Sequence, residues 1–302
     1  MDLVLATNAL SKKYKRNMAV NSVNMHIERG DIYGFVGENG SGKTTIIRLI
    51  TGLISPHSGS FSLFGVENKS KQIGKARSRI GAIVESPSIY LNMSAYDNLK
   101  TQCMLLGVDD DNKILEALTD VGLSELYKEK KHAGNFSLGM RQRLGIAMAL
   151  LGDPEFLILD EPMNGLDPAG IVSIRELILK LNRERSITFL ISSHILTELS
   201  LVATKYGIIS KGKLIQEITA EQLHNECSKT TTICADDPKK LADALVGYKH
   251  EHTAEGVKII GETDLNTLLS TVLGCGVKIL SINCSETTFE DYYLSVIGGA
   301  EV

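Results

Sequence analysis

The order of apolar and polar residues predicts strands that alternate with helices over the first two thirds of the chain. Two short runs, 156–160 and 187–192, are almost wholly apolar, as in strands that are buried on both faces. A helical pattern over 169–182 separates these two runs. Strands that alternate with helices favour a parallel sheet with both faces covered, which predicts an α/β fold.

Two further patterns accompany this core. Residues 3–28 alternate between apolar and polar and predict two or three strands, and a second strand-rich stretch follows at 59–65. From residue 94 to about 151 the apolar spacing becomes helical. We therefore expect an antiparallel β subdomain beside the parallel sheet, and a helical insert over about 86–151.

The pattern changes after residue 218, where strands and helices become shorter. Predicted strands at 230–234, 257–260 and 277–282 alternate with helices in an order that we interpret as βαββαβ. That order is typical of a ferredoxin-like α+β unit. We expect one domain over 1–218 and an accessory domain over 219–302, which serves as a ligand sensor or, as we favour, stabilises a dimer.

Composition narrows the class of protein. The 302 residues are 43% hydrophobic and 23% charged, which is typical of a soluble globular chain. A formal net charge of -4 provides no basic surface for nucleic acid. No apolar run approaches the roughly 20 residues that span a bilayer, and no signal pattern opens the chain. We expect a cytoplasmic protein with no membrane span of its own.

Residues 37–44 match the phosphate-binding P-loop at every required position. A strand-like run precedes them and a helix-like run follows, a context that disfavours a chance glycine turn. The glycines let backbone N–H groups face phosphate oxygens, and the helix adds its positive N-terminal end. Lys43 should reach the β- and γ-phosphates, while the Thr44 hydroxyl should hold Mg²⁺. The predicted ATP-binding residues here are Gly37, Glu38, Asn39, Gly40, Ser41, Gly42, Lys43, Thr44 and Thr45.

Two carboxylates close the apolar run at 156–160. The buried strand delivers Asp160 at its carboxyl end, towards the Mg²⁺ that Thr44 also touches. Glu161 is then placed to orient or deprotonate an attacking water. An ordinary acidic turn is the alternative, and the P-loop upstream disfavours it. Together the two motifs predict ATP hydrolysis.

Five motifs in one order resemble the ATP-binding subunits of ABC transporters. After the P-loop, residues 136–142 resemble a divergent form of the family's signature and lead into a helix predicted over 141–151. The strand that ends in two carboxylates comes next. Residues 164–167 are then similar to the D-loop, and 192–194 to the switch histidine. The resemblance covers residues 1 to about 218 and implies the P-loop NTPase fold of an ABC ATPase.

The resemblance also implies roles beyond the P-loop. Tyr14 would stack on adenine, and His194 would contact the γ-phosphate and the attacking water. Ser137 and Gly139 would bind the γ-phosphate of ATP held by a second subunit. The active unit would therefore be a head-to-tail dimer, in which this chain pairs with a second copy or with a similar ATPase. The implied catalytic residues are Lys43, Glu161 and His194, and the implied Mg²⁺ ligands are Thr44, Asp160 and Glu85.

Two residues depart from the usual family pattern. Glu85 stands where the family usually has glutamine, and Leu138 replaces a signature glycine. A carboxylate can still ligate Mg²⁺ or hold a water, but it adds negative charge beside the triphosphate. In both features the chain resembles the ATPase subunits of bacitracin and lantibiotic self-protection exporters. The segment 287–293 is similar to the C-terminal ends of many drug-export ATPases.

The leading hypothesis is an ATP-hydrolysing subunit that drives drug or lantibiotic export through a separate permease and lies at the inner face of the membrane. Residues 85–106 would, by resemblance, receive the permease. The competing hypothesis is a soluble ABC ATPase that acts on DNA or ribosomes. Three features disfavour it. The chain has no sustained heptads for a coiled-coil insertion, it has a single P-loop where ribosome-acting members usually have two ATPase halves, and its composition is mildly acidic.

Overall fold

The contacts within the chain divide it into two units, Met1–Ala220 and Glu221–Val302, which we call the larger and the smaller unit. The sequence pattern changes near the same point. The computed structural model describes residues 2–227, 229–253, 256–261 and 264–299.

The larger unit contains two sheets and seven α-helices among its described residues. Its strands are β1 (Leu3–Tyr14), β2 (Asn17–Val23), β3 (His26–Glu28), β4 (Ile32–Val36), β5 (Ser58–Leu63), β6 (Val66–Glu67), β7 (Ile80–Ile83), β8 (Phe156–Asp160), β9 (Thr188–Ser193), β10 (Lys205–Ser210) and β11 (Lys213–Thr219). Its helices are α1 (Lys43–Thr51), α2 (Ile73–Arg77), α3 (Ala95–Leu106), α4 (Asp111–Asp120), α5 (Leu138–Leu150), α6 (Pro168–Arg185) and α7 (Leu196–Ser200).

The main sheet has the strand order β11-β10-β4-β9-β8-β7. Strands β10, β4, β9, β8 and β7 run parallel, and β11 pairs antiparallel with β10. Every residue of β4, β8 and β9 is buried, which explains why their sequences are mainly apolar. Because the strands are parallel, their carboxyl ends meet at one edge, where ligands bind in open α/β sheets.

An antiparallel sheet, β2-β1-β5-β6 with β3 paired to β1, forms the predicted β subdomain. Helix α1 contributes to one core cluster with residues of both sheets, such as Phe61 and Phe156. Its four fully buried Ile and Leu side chains correspond to roughly 6 to 12 kcal/mol of transfer free energy. This burial fixes the helix that carries the P-loop.

Helices α3, α4 and α5 lie between β7 and β8 in the chain and form the predicted helical insert. Ser94 and Asp97 cap α3 with a complete capping box. The predicted start of α5 at residue 141 was wrong, because the helix begins at Leu138. The Ser137 hydroxyl accepts the backbone N–H of Met140 and so starts the helix one turn earlier.

The smaller unit is ferredoxin-like. Its elements are α8 (Ala220–Glu226), β12 (Lys229–Ala235), α9 (Pro238–Ala244), β13 (His250–His252), β14 (Gly256–Ile260), α10 (Leu265–Gly274), β15 (Ile279–Glu286) and α11 (Phe289–Gly299). An antiparallel sheet of order β13-β14-β12-β15 shares a core with α9 and α10. From β12 to β15 the chain order is βαββαβ, as predicted.

No helix in the described part of the chain is both long enough and apolar enough to cross a bilayer.

Candidate functional site

The P-loop surrounds a pocket of about 170 Å³ between β4 and α1. At Gly37, an added Cβ would lie 2.4 Å from the carbonyl oxygen of Ile209. Gly42 has a φ of +112°, and a Cβ there would lie 2.6 Å from the carbonyl oxygen of Ala19. Both positions therefore require glycine. The pocket is lined by Ala19, Glu38, Asn39, Gly40, Gly42, Lys43, Thr44, Thr45 and Glu161.

Lys43 is the cation of this pocket and is 5% exposed. Its Nζ donates to the carbonyl oxygens of Gly37 at 2.5 Å and Glu38 at 3.2 Å. The same Nζ lies 3.4 Å from Oε1 of Glu161. The carbonyl oxygens of the loop therefore hold the Lys43 ammonium group at the N-terminal end of α1, where the ammonium group can exchange these contacts for phosphate oxygens.

Asp160 connects the P-loop helix to the parallel sheet. Its Oδ2 accepts the Thr44 hydroxyl at 2.8 Å, and its Oδ1 accepts the Ser192 hydroxyl at 2.5 Å. Asp160 is 2% exposed, and in the sheet it stands directly opposite Ser192 on β9. The structure thus brings together the hydroxyl and the carboxylate that the sequence predicts as metal ligands.

Glu161 follows in a left-handed conformation, with a φ of 50°. This sparsely populated conformation is typical of functional positions. The Ser192 hydroxyl accepts the backbone N–H of Glu161 at 3.0 Å. The Oε2 atom of Glu161 lies 2.8 Å from Nδ1 of His194. The predicted base and the switch histidine therefore form one hydrogen-bonded pair beside Lys43.

The segment 136–142 lies in the turn that starts α5. The Ser137 hydroxyl accepts the Met140 N–H at 3.2 Å, and Gly139 lies in the first turn of the helix. The Leu138 side chain is about half exposed, and its Cδ2 would lie 3.4 Å from a Cβ added at Gly165. This turn therefore packs next to the segment 164–167.

Comparison with known proteins identifies the family. The family model described as "ABC transporter" matches residues 20–164. The bacitracin transport ATP-binding protein BcrA of Bacillus licheniformis is 41% identical to this chain over 308 residues, with 100% of both chains covered. The chain belongs to the ATP-binding proteins of ABC transporters.

Other relatives agree. The lantibiotic transport ATP-binding protein SrtF of Streptococcus pyogenes is 45% identical over 214 residues, covering 71% of this chain and 90% of that protein. A solved structure of cbiO1 from Clostridium perfringens, part of the ABC transporter complex cbiONQ, has a TM-score of 0.67 at 27% identity. It covers 74% of this chain and 91% of that one. This ABC protein is therefore an ATP-binding ATPase.

The residues around the ABC P-loop fit a magnesium-bound triphosphate. Thr44 and Asp160 offer hard oxygen atoms, which Mg²⁺ prefers. Within the described part of the chain, the buried Ser41 Oγ has no hydrogen-bond partner, and the buried Glu161 Oε1 has no contact shorter than the ion pair with Lys43 at 3.4 Å. Buried polar atoms of this kind require a partner, and a bound nucleotide with its water shell would provide one.

Besides Ser137 and Gly139, two residues that the ABC resemblance implicates lie outside this cluster. Tyr14, at the end of β1, is 41% exposed and does not line the P-loop pocket. The Lys12 Nζ lies 5.4 Å from the centre of its ring. The Glu85 carboxylate is exposed, and its Oε1 accepts Nη2 of Arg48 at 2.5 Å. The adenine and metal roles of these two residues remain predictions.

Two residues of the site received no role from the sequence. Ser192 holds both Asp160 and Glu161, and its signal would have been the register of β8 and β9. Arg48 contacts Glu85, and its signal would have been its spacing of one helical turn from Thr44. The first signal depends on knowing that β8 and β9 are neighbours, whereas the second shows only that Arg48 shares a helix face with Thr44 and does not reveal its contact with Glu85.

Proposed function

We propose that this chain is the ATP-hydrolysing subunit of an exporter that expels a peptide antibiotic of the bacitracin or lantibiotic kind. The observation that carries the proposal is the full-length similarity to BcrA, which includes the smaller unit as well as the ATPase. Both named relatives are described as transport proteins, and the DNA- or ribosome-acting alternative gains no support from them.

The proposed chemistry uses the cluster at the sheet edge. Lys43 binds the β- and γ-phosphates, and the oxygens of Thr44 and Asp160 hold Mg²⁺, which neutralises phosphate charge when bound. Glu161 accepts a proton from the attacking water, and His194 holds Glu161 in place through Oε2. The left-handed backbone of Glu161 directs its carboxylate towards the P-loop pocket that it lines.

The active unit is proposed to be a head-to-tail dimer, with a second copy or with a similar ATPase. The N-terminal end of α5, with Ser137 and Gly139, offers backbone N–H groups and a positive dipole to an anion. Within one chain this turn packs beside the segment 164–167. Neither Ser137 nor Gly139 lines the P-loop pocket of its own chain, and we therefore propose that the turn binds a γ-phosphate held by the P-loop of the partner.

The proposed permease contact is a groove of about 510 Å³ bordered by the end of β7, helix α3 and helix α5. Apolar side chains at its rim, such as those of Leu53 and Leu106, are exposed. Val84 and Pro87, on either side of the Glu85–Ser86 pair, also line it. The groove therefore adjoins the residue at the family's glutamine position, and docking there would place the chain at the inner face of the membrane.

Expression in an antibiotic-sensitive bacterium tests this function. The chain is expressed together with any multi-span membrane protein that is encoded beside its own gene, and the cells are challenged separately with bacitracin and with a lantibiotic. We expect protection against at least one of these peptides, and its loss in the Lys43→Ala variant at equal protein level. An absence of protection against both peptides, with the permease present in the membrane, would contradict the proposed substrate class.

A further inference from the structure

Arg48 and Glu85 form an ion pair beside the proposed metal ligands. Arg48 lies four residues after Thr44 in α1, so the two side chains share one face of the helix. Its Nη2 donates to Oε1 of Glu85 at 2.5 Å. Strand β7, which leads to Glu85, runs parallel to β8, which ends at Asp160. Arg48 and Glu85 therefore join α1 to the edge of the sheet where the site lies.

The backbone at Glu85 has an uncommon conformation. Its φ is 65°, in the left-handed region that L side chains rarely adopt. Ser86 and Pro87, directly after it, line the groove beside α3 and α5. A conformation of this kind persists only where the surroundings hold it, and the contact with Arg48 is one such restraint. The ion pair thus lies between the P-loop helix and the groove.

The charges at this edge explain what the pair contributes. Glu161 has Lys43 as its cation, and the hydroxyls of Thr44 and Ser192 donate to Asp160. Glu85 is a third carboxylate, and Arg48 is the cation in contact with it. Without that cation, the unpaired charge of Glu85, which follows the strand next to β8, would add to the negative charge at the edge of the sheet where a triphosphate is proposed to bind.

We propose that Arg48 is a positioning residue that makes a carboxylate at position 85 compatible with nucleotide binding. It neutralises Glu85 and holds its carboxylate on the face of α1, one turn beyond Thr44. The proposal rests on the proposed function, because it assumes that ATP binds at the P-loop. Its distinctive consequence is that the effect of removing Arg48 depends on the charge at position 85.

Calorimetric titration with ATP tests this dependence in the full chain, once with Mg²⁺ and once with EDTA. Arg48→Ala should raise the Kd for ATP roughly 1.4- to fivefold, the range of coupling found for exposed ion pairs. The increase should be larger in EDTA, where no metal offsets the phosphate charge. In a Glu85→Gln background, Arg48→Ala should leave the Kd unchanged, and with Glu85 present Arg48→Lys should retain most of the affinity.

The control is Arg183→Ala, which removes a surface arginine whose Nη2 lies 3.4 Å from Oε1 of Glu184 in the last turn of α6. It should not alter the Kd. An equal loss of affinity from Arg48→Ala in the wild-type and the Glu85→Gln backgrounds would overturn the proposal, as would no loss in either background. Failure of the wild-type chain to bind ATP would instead overturn the proposed function.

Discussion

Removal of the Ser192 hydroxyl should weaken the support beneath the two acidic residues of the site. In the Ser192→Ala variant, Oδ1 of Asp160 loses its donor at 2.5 Å, and the Glu161 N–H loses its acceptor at 3.0 Å. Both losses occur at a fully buried position on β9. The Glu161 N–H keeps a second acceptor, the Ser192 carbonyl oxygen at 3.2 Å.

The size of the effect follows from these contacts. A hydrogen bond to a charged group contributes about 1.5 to 3 kcal/mol, and the retained carbonyl contact makes the second loss small. We therefore expect the larger unit to lose about 2 to 3 kcal/mol of unfolding free energy. For a unit of this size, that corresponds to a fall in Tm of about 4 to 12 °C.

Differential scanning calorimetry of both proteins measures this fall, and the neighbouring residue provides the control. Ser193 is also buried, and its hydroxyl accepts the neutral N–H of Ile195 at 2.9 Å. Ser193→Ala should therefore cost about 1 kcal/mol, a visibly smaller shift. If Ser192→Ala melts at the same temperature as Ser193→Ala, the support assigned to Ser192 is refuted.

Two further predictions concern the P-loop and a remote ion pair. Lys43→Ala should abolish ATP binding measured by calorimetry, because the pocket loses its cation. The control, Lys69→Ala, removes an exposed lysine and should bind ATP normally. Unchanged affinity in Lys43→Ala would contradict the role of Lys43. Hydrogen bonds from Arg79, and to a lesser extent from Arg29, lower the pKa of Glu155 from 4.5 to about 2. The ionised carboxylate therefore stabilises the folded state fully above pH 4.5, and this stabilisation is lost as the pH falls towards 2. Glu155→Gln should lower the unfolding free energy by about 1 kcal/mol at pH 7, a small effect because the ion pair is exposed to solvent. The loss should be smaller at pH 3. Urea titrations at both pH values test this, and an equal cost at both would refute it.

The parallel sheet could be predicted because its strands are buried on both faces. Residues 156–160 were predicted as a strand and form β8 over the same residues. A fully buried strand needs an unbroken apolar run, and few other elements of this length produce one. The two carboxylates that close the run were likewise visible, since their place at the sheet edge follows from strand direction alone.

The start of α5 and the strand β13 show where the pattern was insufficient. The helix was predicted to begin at 141, whereas Ser137 caps it at Leu138, although the glycine at 139 lowers helix propensity in that first turn. β13 spans only His250–His252 and has no apolar pattern of its own, so it was not located by itself. Tertiary pairing with β14 defines it.

The supporting contacts of the site could not be predicted from motifs. Ser192 serves Asp160 because β8 and β9 pair in one particular register. Arg48 serves Glu85 because α1 packs where β7 ends. Contacts of this kind join residues far apart in the chain, so local patterns do not encode them.

Two subunits are proposed to hold ATP between the P-loop of one and the Ser137 turn of the other. Sedimentation velocity of the Glu161→Gln variant with Mg²⁺ and ATP tests it most directly, because slow hydrolysis should preserve the closed state. We predict a dimer that retains one nucleotide per chain, and a monomer without nucleotide or when Ser137 is also replaced by Arg. A variant that is saturated with ATP and still sediments as a monomer would contradict the account for a homodimer.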